Sequence, residues 1–323
     1  MHSHSTGLIA RGDLTAVRES SIAPQRRPFV TRETLRQPIN AMSVDVEDWA
    51  QSTLGPELPL SRRFETSTRR ILEAFAARGV RGTFFVLGLA AEKAPHIVRE
   101  IQAAGHEVQS HGYGHENLHD LTPERFRADM NRSKKMLEDM TGVEIYAYRA
   151  PFFTITRKTL WALDVLVEEG FRYDSSVFPM KMKRYGIDGA PTFPHRLRTP
   201  AGYEILELPV ATCTFAGRQL PVGGGGYFRL FPYRLLRRGV TQLNAAGHGA
   251  TIYMHPYEYD PLEFREIDVP VSWKLRLHQS IGRRGFPRKV DRMLAEFRFG
   301  TMQDVIDATE EWPVFEHRPA QVA

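Results

Sequence analysis

Asp45-Val46-Glu47-Asp48 sets three carboxylates within four positions, directly after the apolar run Ala41–Val46. Like charges that close repel one another unless protons or a cation intervene. Further on, His111-Gly112-Tyr113-Gly114-His115 carries two imidazoles spaced to converge on one ion, with glycines that permit a tight turn. A carboxylate with two imidazoles leaves coordination positions open for water and substrate, which suits zinc or another divalent ion acting as a Lewis acid. Arg149, in Tyr148-Arg149-Ala150-Pro151-Phe152, can orient a carboxylate and favour its charged form, and Asp174 in Tyr173-Asp174-Ser175-Ser176 is offered as its partner. His255, in Met254-His255-Pro256, is placed to act as a general acid.

Each of these groups follows a short apolar stretch. The reading predicts strands at Ala41–Val46, Thr83–Leu87, His106–Ser110, Glu144–Tyr148, Glu204–Pro209 and Ala250–Met254. Helical spacing occupies Thr66–Arg78, Ala90–Ala104, Thr122–Met140, Thr156–Glu169 and Pro232–Ala246. Strands alternating with helices of this length imply parallel βαβ units, and roughly seven of them fit a distorted (β/α)7-type barrel of the α/β class. In such barrels the functional side chains sit at the carboxyl ends of the strands, where the residues above fall. The glycine run Gly223–Gly226 implies either close approach of backbones or a mobile loop.

Composition narrows the function classes. The chain has 323 residues, 43 Lys+Arg against 38 Asp+Glu for a net charge of +5, and is 42% hydrophobic and 25% charged. These are values of a folded globular protein. No apolar run approaches the ~18 residues of a membrane span, so stable membrane insertion is not expected. Cys213 is the single cysteine, which excludes an internal disulfide framework and a cysteine-rich zinc module. The basic stretch Arg283–Lys289 reads as a solvated face, and no nucleic-acid signature is present. Residues 1–40 read as a polar extension, partly disordered, without the apolar centre of a secretory signal, so a cytoplasmic protein is expected. Met42 is a second candidate for the start of the chain.

Acid cluster, Thr-Phe-Phe strand, His-x-x-x-His, Arg-x-Pro-Phe and strand-terminal His recur in this order at successive strand ends. The series resembles the NodB-type polysaccharide deacetylases, carbohydrate esterase family 4, over about residues 41–260. Asp-Val-Glu-Asp-Trp, Arg-Ala-Pro-Phe-Phe, Tyr-Asp-Ser-Ser-Val-Phe-Pro and the glycine-rich segment Gly223–Arg229 resemble a bacterial subgroup associated with exosortase-type exopolysaccharide loci.

The resemblance implies a catalytic domain over 41–323, with a subgroup-specific part from about 261. It implies Asp45 as general base, His255 as catalytic acid, and Arg149 as the anchor of Asp45. Asp174 falls near the acid that orients the catalytic His or Arg. The metal ligands would be His111, His115 and a carboxylate. Asp48 is favoured for that carboxylate because two residues separate it from Asp45 where the family has adjacent acids, and Glu47 is the alternative. Zn(2+) is the implied metal, with Co, Ni and Mn as alternatives. The backbone N–H of Phe152 would join the oxyanion hole, Tyr253 would reshape the acetyl pocket, and Trp49 and Tyr227 are candidates to stack on sugar. The expected partner is an acetylated glycan and the expected reaction removes N-acetyl groups from its hexosamines. Two other readings stay open: an amidohydrolase of the same fold acting on a small cyclic or linear amide, and a non-catalytic glycan-binding relative.

Overall fold

The computed structural model describes Met1 and residues 38–316. Most of the expected polar extension, residues 2–37, lies outside the described residues, as do 317–323.

The first strand, β1 (Asn40–Val46), is buried along its whole length. Its side chains alternate between two environments, as the two-residue period of a strand requires. Met42, Val44 and Val46 pack outward into the main helix-covered core, while Ala41 packs with Phe85, Ala147 and Tyr173 in a separate inner cluster. The remaining strands are β2 (Thr83–Val86), β3 (Glu107–Ser110), β4 (Ala147–Tyr148), β5 (Tyr173–Asp174), β6 (His195–Arg198), β7 (Glu204–Glu207), β8 (Thr212–Phe215), β9 (Arg218–Pro221), β10 (Thr251–Met254), β11 (Phe299–Gly300) and β12 (Val314–Glu316).

The main sheet runs β10-β1-β2-β3-β4-β5-β7-β6-β12, parallel from β10 through β7, with β6 antiparallel to β7. The chain leaving β7 then turns back toward β10. Leu208 N donates to Asp174 O (2.9 Å) and Ala211 N to Thr251 O (2.9 Å), and Val210 forms a parallel bridge with Thr251. Among the described residues no continuous ladder closes the ring, and this isolated bridge brings its two ends together. The architecture is the distorted α/β barrel that the strand–helix rhythm implies.

Helices cover the outside. Arg63–Arg78 buries Phe64, Ile71 and Phe75 and ends at Gly79, whose φ of 62° is the left-handed C-terminal conformation. The single helix expected over Ala90–Ala104 is two, Gly88–Lys93 and Pro95–Ala103. Pro95 has no N–H to continue the first and suits the first turn of the second. Thr122 caps Pro123–Thr141, accepting from Arg125 N (3.4 Å), and Phe126, Met130 and Leu137 face the core.

Several elements escape a sequence reading because they are too short to show a period: β6, the hairpin β8–β9, and the strands β11 and β12, which add to β1 and β6. The glycine run proves to be a site of close approach. Gly225 opens the helix Gly225–Leu230, and a Cβ on Gly224 would stand 2.1 Å from Tyr253 O. The basic stretch is only partly solvated. Arg283 is buried against Glu263, and Lys289 donates to the carbonyls of Arg229 (2.7 Å) and Phe231 (2.7 Å) at the start of an amphipathic helix, Phe286–Glu296.

Candidate active site

Asp45 and Glu47 leave the carboxyl end of β1, and helix Trp49–Leu54 begins immediately afterwards. This places Glu47 and Asp48 in different jobs. Asp48 is the helix N-cap: its side chain accepts from Ala50 N (3.1 Å), Ser61 N (3.1 Å) and the Ser61 hydroxyl. It is therefore turned away from the histidines, and the expectation that Asp48 completes their ligand set is corrected. Glu47 occupies that place. Its Oε2 lies 2.7 Å from His115 Nε2 and 3.4 Å from His111 Nε2. One ligand atom from each of Glu47, His111 and His115 falls within 4.8 Å of the others, and all three side chains are buried.

The two imidazoles are brought together by a turn after β3. Gly112 (φ 75°) and His115 (φ 58°) take left-handed conformations. The Asp129 carboxylate, from the neighbouring helix, accepts from Tyr113 N (2.8 Å) and Gly114 N (3.0 Å) and holds the turn. His111 Nδ1 is 2.8 Å from the carbonyl of Arg149, which can only accept. The proton must then sit on Nδ1, leaving the Nε2 lone pair directed at Glu47 and His115, as a metal-ligating imidazole needs. Burial alone would raise the Glu47 carboxyl. The adjacent His115, with His111 and His255 beside it, outweighs burial and holds the group well below its usual value.

Arg149 lies at the end of β4, inside the barrel and fully buried. It donates to Asp45 Oδ1 (2.7 Å), Ser43 Oγ (2.8 Å), Ser175 Oγ (2.8 Å) and Ser175 O (3.2 Å), with its guanidinium 4.4 Å from the Phe85 ring centre. A buried guanidinium with this many acceptors is fixed, and it fixes Asp45 in turn. Asp174 is not its partner; the neighbouring Ser175 takes that role. Asp174 accepts from Ser176 N (3.1 Å) and Ser176 Oγ (2.5 Å), and Ala150 N donates to the same hydroxyl (2.7 Å). It also pairs with buried Glu207. Burial raises both carboxyls, and burial with the neighbouring Asp174 pushes Glu207 well above its usual value.

His255, after β10, completes the group. Its Nε2 is 3.7 Å from Glu47 Oε1 and 4.0 Å from Asp45 Oδ2, and its ring stacks on Tyr257 (4.6 Å, 10°). Burial would lower its pKa, but Glu258, Glu47 and Asp45 outweigh it and hold it at about 9. Glu258 is the functional residue that sequence reasoning missed. Its Oε2 accepts from His255 N (3.1 Å) and lies 3.7 Å from His255 Nδ1. The signal was present as His-Pro-x-Glu, a helix-start pattern in which the acid three residues on reaches back to the cap.

A cleft of about 440 Å³ opens over these groups, lined among others by Asp45, His255, Phe152, Tyr253, Tyr257 and Tyr185. Phe152 (φ 56°) and Phe153 (φ 54°) are consecutive residues in the left-handed region, a conformation costing on the order of 1–3 kcal/mol each. It turns the Phe152 ring edge-on to His115 (4.6 Å) at the rim, about half exposed. Tyr253 lies deeper, against Phe153 (5.0 Å) and His255 (5.4 Å). Trp49 is not available for sugar stacking: it is 1% exposed and packs edge-on to Phe264 (4.6 Å). Tyr227 is not among the residues lining the cleft; it is half-buried, hydrogen-bonded with Tyr185, which is, and its ring centre lies 5.8 Å from that of Phe231.

Barrel, strand-end acids, paired imidazoles and buried arginine together form a site whose ligands suit a divalent metal and whose acid and imidazole can transfer protons. Residues 55–171 match the family model described as polysaccharide deacetylase, and residues 175–307 match one described as a domain of unknown function, DUF3473. The chain is 33% identical over 98 residues to a peptidoglycan-N-acetylglucosamine deacetylase of Bacillus cereus, covering 30% of this chain and 36% of that protein. It is 30% identical over 145 residues to a peptidoglycan deacetylase of Helicobacter pylori, covering 42% of this chain and 48% of that protein. It thus spans between about a third and a half of these curated relatives. A crystal structure from Mycobacterium smegmatis, described as a polysaccharide deacetylase, superposes with a TM-score of 0.59 at 22% identity over 90% of this chain and 97% of that one, a likeness of fold. Residues 55–171 are thus similar to the polysaccharide deacetylases in sequence, and the whole described chain shares their fold.

Proposed function

We propose that the protein is a divalent-metal-dependent hydrolase that cleaves the C–N bond of N-acetyl groups on N-acetylhexosamine units of a glycan. The observation that carries this reading is the convergence of Glu47, His111 and His115 beside an arginine-anchored Asp45 and an imidazole, His255, all facing one cleft. Two imidazole nitrogens and one carboxylate oxygen suit Zn(2+) first, ahead of Co, Ni or Mn. The directed lone pair of His111 supports the fit.

A divalent ion held by these three residues would polarise the acetamide carbonyl and make a water molecule more acidic. The chain's own groups then divide the proton transfers. Asp45, one oxygen held by Arg149 and the other facing the cleft, takes the proton of the attacking water. His255 sits across the cleft with Glu258 at its Nδ1 side, and as imidazolium it gives a proton from Nε2 to the departing amine. Phe152 and Tyr253 close the space around the acetyl group, and the N–H of Phe152 is the donor we assign to the developing oxyanion. Acetate and a glucosamine-type unit leave.

The exopolysaccharide part of the reading rests on the subgroup resemblance of Arg149–Phe153, Tyr173–Pro179 and Gly223–Arg229. All three segments pack around the cleft or its immediate support. Acetate release from a panel of acetylated glycans, with and without chelator, tests the proposal. Release that stops with chelator and returns with zinc is the expected result. Metal-loaded protein that frees no acetate from any of them would overturn it.

A further inference from the structure

The helix Trp273–Ser280 is anchored along one side only. Leu275 packs with the cluster of Trp49, Phe264 and Tyr257. At the C-terminal end Arg229 donates to Ile281 O (3.0 Å) and to Gln279 O, and Arg283 donates to Gln279 O (2.8 Å). Cations there complement the negative end of the helix dipole, so the element is pinned from below.

The other side carries no cover among the described residues. Trp273 is 70% exposed, Leu277 57% and Ile281, at the helix end, 48%. At about 100° per residue, positions four apart lie about 40° from one another, so Trp273, Leu277 and Ile281 form one apolar stripe. Arg276 and Lys274 flank the first two of these residues at about 60° on either side. Residues 269–290 contain no acid at all. Within them Lys274 and Arg276, on the helix itself, are exposed. The nearest acid after the segment, Asp291, is engaged by Arg78 (2.7 Å). The helix sits at the same end of the barrel as the cleft, since Tyr257 touches both its supporting cluster and His255.

We propose that this face docks the protein on the surface of an anionic phospholipid bilayer. Indole and aliphatic groups on one side of a short helix, bordered by unpaired cations, match the division of a membrane interface into acyl chains and phosphate headgroups. A sugar chain would stack on Trp273 but leave Leu277 and Ile281 in water. No helix among the described residues is long and apolar enough to cross a membrane, so the contact is peripheral. The inference stands apart from the hydrolytic reading, because none of these side chains lines the cleft.

Sedimentation of the full chain with vesicles tests it. Binding is expected to phosphatidylcholine vesicles containing phosphatidylglycerol at low salt, to weaken with added salt, and to be far weaker on phosphatidylcholine alone. Each surface cation contributes on the order of fivefold in partition, so Lys274→Gln/Arg276→Gln should lose roughly 20-fold. Trp273→Ser/Leu277→Ser should lose about tenfold or more while its melting curve stays in place, because both side chains are exposed. Wild-type protein that ignores anionic vesicles at low salt, or binding untouched by both variants, overturns the proposal. A wild-type dimer that the Trp273→Ser/Leu277→Ser variant dissociates, without vesicle binding, assigns the face to a second copy and overturns it equally.

Discussion

Glu47 and Asp48 are neighbours of the same charge, and exchanging each for its amide separates a ligand from a cap. In the structure Glu47 faces both imidazoles, while Asp48 satisfies the start of helix Trp49–Leu54 and the Ser61 backbone. Tightly held structural zinc with four ligands is worth about 10–16 kcal/mol, so one ligand of a similar set carries roughly 3–4 kcal/mol, or about 10²–10³ in affinity. Glu47→Gln should weaken metal binding by that factor and leave the purified protein depleted of metal after dialysis. Asp48→Asn retains one acceptor oxygen but turns an amide toward Ser61 N, which donates too; loss of that bond and part of the cap should cost about 1–2 kcal/mol. Its melting temperature should fall by a few degrees with stoichiometric metal retained. Elemental analysis and thermal melts of the two variants side by side decide the matter. Metal lost from Asp48→Asn and kept by Glu47→Gln would refute the reasoning from geometry.

Asp45→Asn and His255→Ala should each lower turnover by about 10²–10⁴ while keeping the metal, because neither is assigned as a ligand; elemental analysis with steady-state kinetics checks both halves. In metal-free protein His255 should titrate near 9 by NMR, so its charge contributes stability that is complete below about pH 6.5 and is lost as pH rises through about 9. Loading a cation onto Glu47 removes that carboxylate's attraction and should move the titration down; an imidazole that titrates identically with and without metal would contradict the site. The Asp174–Glu207 pair binds a proton that the unfolded chain lacks above about pH 4.5, so it subtracts stability as pH rises toward the folded pKa. Glu207→Gln should therefore melt at or above the wild-type temperature at alkaline pH, whereas Glu207→Ala, which opens a buried polar gap beside Asp174, should cost about 2–4 kcal/mol; calorimetry across pH distinguishes them.

Much of this molecule was legible in one dimension. Apolar runs ending in Asp45, His111, Arg149 and His255 place chemistry at the carboxyl ends of parallel strands, and a strand–helix alternation of that length leaves few folds to choose from. The period of a strand also dictates that Asp45 and Ser43 share the inner face of β1, so that one buried arginine reaches both. What the sequence could not order was anything set by a turn or by a partner far along the chain. Whether Glu47 or Asp48 meets the histidines depends on how far the extended backbone of β1 continues before the next helix: Asp48 is still extended (φ −96°, ψ 135°), so alternation turns it away from the side that Asp45 and Glu47 share. Arg149 passes over Asp174 for Ser175 because β5 is two residues long and its last side chain already answers to Glu207 on β7. Trp49, a plausible sugar platform by type, is core because the segment around Phe264 folds back over it. The exposed stripe of Trp273 and Leu277 reads in sequence like any half-buried helix. Only the packed structure shows that Leu275 fills its inner side and that, among the described residues, nothing covers its outer side, since burial is a property of what the rest of the chain brings alongside.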